Sequence, residues 1–235
     1  MNHLIEEVRK EMLSYADDAT RAGSQRFFKE KLTAYGVKLP LVNAVAKRHL
    51  KSLKPLQKAE IFEHCTELWQ SGIFEESVVA CNWSYAVRSR FEPGDIRVFK
   101  SWIDNYVNNW ASCDTLCNHT VGEFIEMYPE KIAELKRFAV SGNRWMRRAA
   151  AVSLIIPARK GLFLNDIFEI ADLLLADRDD LVQKGYGWML KAASESHLQE
   201  VFGYVMRNKG LMPRTSLRYA IEKMPAEMRK QAMAK

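Results

Sequence analysis

Asn143-Arg144-Trp145-Met146-Arg147-Arg148-Ala149-Ala150-Ala151-Val152-Ser153-Leu154 is the stretch whose reading decides the fold. Ser141-Gly142 breaks whatever precedes it, Asn143 is a residue type that caps free amides, and three alanines carry a helix forward. Small residues at 149–151 let a neighbouring helix come close. Arg147 and Arg148 set fixed positive charge at the start of that helix, against its dipole, which costs about 0.3–1 kcal/mol each when exposed. Helix stability does not account for them, so the sequence points to a bound anion.

Working outward, the pattern recurs. The segment Leu181-Val182-Gln183-Lys184-Gly185-Tyr186-Gly187-Trp188-Met189-Leu190 starts 36 residues after Trp145, and Leu217-Arg218-Tyr219-Ala220-Ile221 starts 36 further on. Trp110 lies 35 residues before Trp145, and Glu75 another 35 before that. A period near 35 with two helical segments per unit marks stacked helix pairs. The Trp-Leu-Gly-Tyr pattern and late proline of tetratricopeptide arrays do not recur, so HEAT-like pairs fit better. The expected fold is all-α, a curved solenoid of stacked antiparallel HEAT-like helix pairs with about 14 helices, forming one domain over residues 1–235.

Several boundaries follow from local chemistry. One helix is expected over 3–19, and a second, capped by Ser24, over 25–35. Pro40 and Pro55 open the next two. Further helices are expected over 75–90, 96–107, 110–127 and 131–140, and the organising helix is expected to end near Pro157. Asn165 is expected to cap 166–176, helices follow over 181–194, 197–208 and 213–224, and a short tail closes the chain.

Composition narrows the class. With 48% apolar residues the chain can bury a sizeable core. The longest apolar run, 149–156, is far short of a bilayer span. Residues 1–7 show no basic-then-apolar leader, so a soluble cytoplasmic protein is expected, gathered on the nucleoid when bound to DNA. Cys65, Cys81, Cys113 and Cys117 lack a disulfide pattern. Cys113 and Cys117 share a helix face while His119 points elsewhere, so packed thiols rather than a metal site are expected. Residues 1–120 hold 16 Lys and Arg against 15 Asp and Glu, whereas residues 121–235 hold 19 against 14. That excess favours a polyanion partner, nucleic acid first.

No phosphate-cradling glycine loop, zinc-protease helix or nucleophile elbow is present. What remains are aromatic and charged residues at repeat-equivalent positions. Trp110 and Asp114 are i and i+4 and share a helix face. Asp114, Arg148, Lys184 and Trp188 fall within about 100° of arc when counted from the start of their helices, so they can line a shared concave surface. Plainer readings stay open: Trp110 and Trp188 as core residues, Asp114 paired with a lysine, Arg148 as a solvated cation.

At these residues the sequence resembles the AlkD-like DNA alkylation-repair glycosylases, a family built from HEAT-like repeats. The markers are Asn109-Trp110-Ala111-Ser112-Cys113-Asp114, Trp145-Met146-Arg147-Arg148-Ala149-Ala150 and Gln183-Lys184-Gly185-Tyr186-Gly187-Trp188, with Tyr35-Gly36-Val37-Lys38-Leu39-Pro40 matching an early aromatic-glycine turn. Asn109, Ala111 and Phe27 depart from the family's usual residues. The resemblance implies hydrolysis of the N-glycosidic bond of N3- or N7-alkylated purines in duplex DNA, without flipping the base into a tight pocket. It implies Asp114 as the carboxylate that stabilises the sugar cation and positions water, Trp110 and Trp188 as contacts to the deoxyribose, and Arg148 as the holder of the adjacent phosphate. Arg147, Lys184, Arg218 and Phe27 are implied as further DNA contacts. A monomer with no metal, small-molecule cofactor or membrane partner is expected. A non-catalytic HEAT-like module that binds DNA structures, or a protein scaffold, is the alternative.

Overall fold

Helices account for the architecture of the computed structural model, which describes residues 3–234, and no strand occurs among them. Met1 and Asn2, the first residues of the stretch read for a leader, lie outside the described residues, as does Lys235. Among the described residues no helix is long and apolar enough to cross a membrane. The chain divides into two compact units, Met1–Leu116 and Cys117–Lys235.

The first unit holds α1 (His3–Ser14), α2 (Asp18–Gln25), α3 (Leu39–Leu53), α4 (Lys58–Gln70), α5 (Phe74–Ala86), α6 (Ile96–Asn105) and α7 (Trp110–Thr115). Here α1, α3, α5 and α7 form a series in which each packs on the next, and α4 packs against both α5 and α6. The sequence dictates this locally. Helix α1 buries only Ile5, Val8 and Met12, one stripe at helical spacing, whereas α5 is buried on nearly every side. An aromatic group of Phe62, Phe91, Phe99 and Trp102, with centroids 5.2–5.8 Å apart along its edge-to-face contacts, fills the space beneath α4 and α6.

The second unit holds α8 (Gly122–Met127), α9 (Ile132–Ala139), α10 (Arg144–Val152), α11 (Ile155–Arg159), α12 (Leu164–Leu173), α13 (Asp180–Ala193), α14 (Leu198–Asn208), α15 (Arg214–Ile221) and α16 (Ala226–Met233). Helix α13 packs between α10 and α15, with α9 and α12 behind α10. Ala149, Ala150 and Ala151 are fully buried, as expected for small residues at a close helix contact.

Within each unit, polar contacts recur at separations of 35–37 residues. Trp83 donates its indole N–H to the Ala46 carbonyl at 3.0 Å, 37 residues back, and Trp102 donates to the Thr66 hydroxyl at 2.8 Å, 36 back. Arg144 pairs with Asp179 at 2.9 Å, 35 residues ahead. The helix starts repeat too. Asn109, Asn143 and Asp179 each accept from backbone N–H groups in the first turn of α7, α10 and α13. Trp110 therefore opens its helix, and Glu75, Trp145 and Leu181 stand second in theirs.

Some expected boundaries are overturned. Residues 26–38 are not helical: Asp17, not Ser24, caps α2 by accepting the Thr20 N–H at 2.6 Å. The Gln25 side chain then ends the helix by closing a loop, donating to the Glu30 carbonyl at 2.9 Å and accepting the Leu32 N–H at 2.8 Å. The expected helix over 110–127 is α7, a π-helical turn at Leu116–Val121 and α8. Gly122 follows that turn where a Cβ would lie 2.8 Å from the Ser153 carbonyl, so the widened turn sits at a close backbone approach. Helix α12 starts at Leu164 from a left-handed Phe163, which places Asn165 inside the first turn rather than at the cap. The expected short tail contains α16.

Candidate nucleic-acid and catalytic site

In the first unit the site is built on α7. Asn109, in extended backbone, accepts the Ser112 N–H at 2.9 Å and donates its amide to the Ser112 hydroxyl at 3.0 Å. Ser112 in turn meets the Ser77 hydroxyl at 2.7 Å, which ties the start of α7 to α5. Trp110 is thus the first residue of a pinned helix. Its half-buried indole stacks on Phe28, centroids 5.5 Å apart at 25°, and Phe28 meets Phe74 edge-on at 5.7 Å. The indole N–H points to the Phe27 carbonyl at a long 3.4 Å. Asp114 follows one turn on, only 8% exposed. Phe27 is the opposite extreme, a large aromatic left 77% exposed beside Trp110. These positions bring Phe27, Trp110 and Asp114 together on one part of the first unit.

Sequence reasoning missed the segment that carries Phe27 and Phe28. Residues 26–38 run as an irregular strap across the start of α5. The Glu75 carboxylate, 1% exposed, accepts three successive backbone N–H groups, from Tyr35 at 3.0 Å, Gly36 at 2.8 Å and Val37 at 2.9 Å. Fully buried Glu76 takes a two-pronged bond from Arg9, 3.1 Å to each oxygen, and the Tyr35 hydroxyl donates to it. Burial and the Glu76 contact push the Tyr35 phenol well above its usual range. Two adjacent glutamates at the start of a helix rich in apolar residues were the available signal.

The second unit carries the cationic residues. Arg148 is 4% exposed, its guanidinium donating to the Leu181 carbonyl in the first turn of α13. It lies over Gly185, where an added Cβ would sit 3.4 Å from its Cγ. Lys184 and Trp188 are i and i+4 on α13, both half-buried, and Lys184 pairs with Asp180 at 2.7 Å. Arg218, on α15, is exposed. Arg147 bonds to Asp177 at 2.6 Å and to the Ser141 and Gly142 carbonyls at 3.0 Å, and Arg144 holds Asp179. These internal partners give the arginines at the start of α10 a structural role that the sequence did not reveal: they bind that helix to the turn before α13.

All four cysteines are buried thiols outside any disulfide. Burial pushes the Cys65 and Cys81 thiols far up, away from the thiolate form that attacks or ligates. Among the described residues no group of three His, Cys, Asp or Glu side chains converges for a metal.

Against this geometry, the sequence model of a family described as DNA alkylation repair enzyme matches residues 8–224. The chain belongs to that family. The match runs through both units and takes in the strap, α7, α10, α13 and α15. Among solved structures, a chain described as "Predicted DNA alkylation repair enzyme" from Enterococcus faecalis shares the fold with a TM-score of 0.81. It is 18% identical, and the alignment covers 90% of this chain and 97% of that one. No curated protein matches by sequence. A member of a DNA alkylation repair family has DNA as its field of action.

Proposed function

We propose that this member of the family is a DNA glycosylase that releases cationic N3- or N7-alkylated purines from duplex DNA by hydrolysing the N-glycosidic bond. The observation that carries the reading is Asp114, a carboxylate held nearly buried on a pinned helix, one turn from a half-exposed tryptophan. An alkylated purine already bears positive charge. When the C1′–N bond breaks, its electron pair returns to the base, which leaves neutral without a general acid. The positive charge passes to the sugar. Water then forms the C1′–O bond and gives up a proton, with Asp114 as the acceptor.

A carboxylate about 4 Å from that charge, at an effective dielectric near 20, contributes about 4 kcal/mol, or roughly a thousandfold in rate. The face of Trp110, one turn from Asp114 on the same helix, adds cation–π attraction of about 0.5–2 kcal/mol, and Trp188 is proposed as a contact to the deoxyribose. Arg148 holds a phosphate, its guanidinium already oriented by the Leu181 carbonyl. Lys184 and Arg218 add backbone contacts that fix register without reading sequence. Exposed Phe27 offers an aromatic face to the substrate. Arg147 is proposed as a secondary contact, since its guanidinium is engaged with Asp177.

The test is release of 7-methylguanine from methylated duplex DNA under single-turnover conditions. Base release that needs Asp114 supports the reading. Tight duplex binding with no release favours instead a non-catalytic DNA-binding module, for which a buried carboxylate beside Trp110 has no use.

A further inference from the structure

Residues 26–38 pose a physical question that the spacing of the helices does not answer. This strap is held down hard, yet it contributes little to the core. Only Gly36 and Val37 are buried between positions 26 and 38. Its anchors are polar instead. Phe74 donates its N–H to the Thr33 carbonyl at 2.9 Å, Gln25 closes the loop over 28–32, and Glu75 takes three N–H groups. Burying a carboxylate is costly unless it is fully hydrogen-bonded. Here the cost is offset by a nest of successive backbone N–H groups, a shape that binds anions.

The nest depends on Gly36. Its φ of +90° is one that other residues rarely adopt, and a Cβ there would lie 2.3 Å from the Asp17 carbonyl oxygen. Helix α5 has no need of this arrangement. An acidic residue in a first turn favours the helix dipole while facing solvent. Glu75 is instead turned onto the strap.

The strap meets the candidate site at Trp110. Phe28 stacks on the indole, and the Phe27 carbonyl faces the indole N–H. At 3.4 Å that hydrogen bond is too long to hold the ring by itself, so the orientation of Trp110 rests on where the strap is fixed.

We propose that Glu75 is a positioning residue for Trp110, fixing the strap so that Phe28 and the Phe27 carbonyl set the plane and direction of the indole. Its consequence for catalysis rests on the glycosylase reading above. Glu75 touches no substrate and acts through Trp110. It spends its charge on backbone N–H groups rather than on a cation, which places the nest, and the chain running from it to Phe28, in one register.

The test uses the full chain and Glu75→Gln, which keeps the shape and removes the charge and one acceptor oxygen. Three quantities are read: single-turnover release of 7-methylguanine, duplex affinity, and acrylamide quenching of Trp110 emission, obtained by subtracting the spectrum of Trp110→Phe. Release is expected to fall about ten- to a hundredfold, the scale of a reacting group misplaced by about 1 Å. Affinity should change less than about threefold and Trp110 quenching should rise. In a Trp110→Phe background Glu75→Gln should add little, because the two residues act along one path.

Loss of release that is independent and multiplicative in that background, with Trp110 quenching unchanged, overturns the proposal and leaves Glu75 a purely structural residue. Should Glu75→Gln fail to fold, Phe28→Leu carries the same test from the other end of the strap. An unchanged Trp110 signal there is equally fatal to the proposal. If the unmodified protein releases no base, the glycosylase reading fails by itself, and the quenching arm still decides whether Glu75 positions Trp110.

Discussion

Asp114 offers the cleanest separation of charge from shape. Replacement by asparagine keeps the volume of a residue that is 8% exposed and removes only the negative charge. If that charge stabilises the sugar cation, base release falls by about 10²–10³-fold, the scale seen when an electrostatic stabiliser is lost, while duplex affinity does not fall. A folded Asp114→Asn protein with full single-turnover release would remove the mechanism. Tyr35 supplies a second prediction at this scale. Its hydroxyl donates to Glu76, and burial and that bond raise its pKa above the usual 10, so the folded state holds its proton more tightly than the unfolded chain. That stability is fully present below pH 10 and drains as pH rises above it. Melting temperatures taken from pH 8 to 11 should therefore fall less steeply for Tyr35→Phe than for the unmodified protein. Tyr186 and Tyr204, also raised by burial, contribute the same decline to both proteins and cancel in the comparison.

Helices and their starts were largely legible because they are written in short-range chemistry. The 35–36 spacing placed Trp110, Trp145 and Leu181 at the openings of α7, α10 and α13, and Asn143 caps as its residue type predicts. The Trp110–Asp114 pair was legible for the same reason, since i and i+4 on a helix need no tertiary knowledge. The strap was not. Phe27, Phe28 and Leu32 have helical spacing, but Gln25 and Glu75 draw the backbone into another path, and Glu75 lies some 40 residues away. The internal partners of Arg147 and Arg148 were hidden likewise, at separations of 30 and 33 residues. Gly187 and Gly185 test the packing of these elements with opposite signs. A Cβ on Gly187 would stand 2.7 Å from the Ser216 carbonyl oxygen and from the Tyr219 Cβ, so α13 and α15 must part. Gly187→Ala should cost about 1–3 kcal/mol. At Gly185 the nearest atom, Arg148 Cγ, is 3.4 Å away, an ordinary van der Waals contact, so Gly185→Ala should instead gain about 1 kcal/mol of helix propensity. Thermal melts of the two variants decide it, and equal shifts would refute this account of the helix contact.

For the whole molecule the governing quantity is charge. The chain carries a net +6, and residues 121–235 hold 19 cationic against 14 anionic side chains. A phosphate-tracking protein releases counterions, so the logarithm of its duplex affinity should fall linearly with the logarithm of salt concentration, by about 0.9 per phosphate neutralised. Individual cations should divide by how the fold uses them. Lys184 is about one-third exposed and pairs with its neighbour Asp180, so Lys184→Ala should flatten the slope by up to about one unit and leave melting almost unmoved. Arg148 is buried and bonded to the Leu181 carbonyl. Arg148→Ala should flatten the slope similarly and also cost about 1–3 kcal/mol of stability, because a buried hydrogen bond to the Leu181 carbonyl and the packing over Gly185 are lost. Arg147→Ala leaves Asp177 without its 2.6 Å partner and should act mostly on stability, with the smallest change in slope. Salt titrations by anisotropy on nonspecific duplex, with a melt on each preparation, order the three. A slope near zero for the unmodified protein would sink the polyanion reading altogether. If Arg147→Ala lost the most slope and the least stability, the division between internal and DNA-facing cations drawn from their contacts would be wrong.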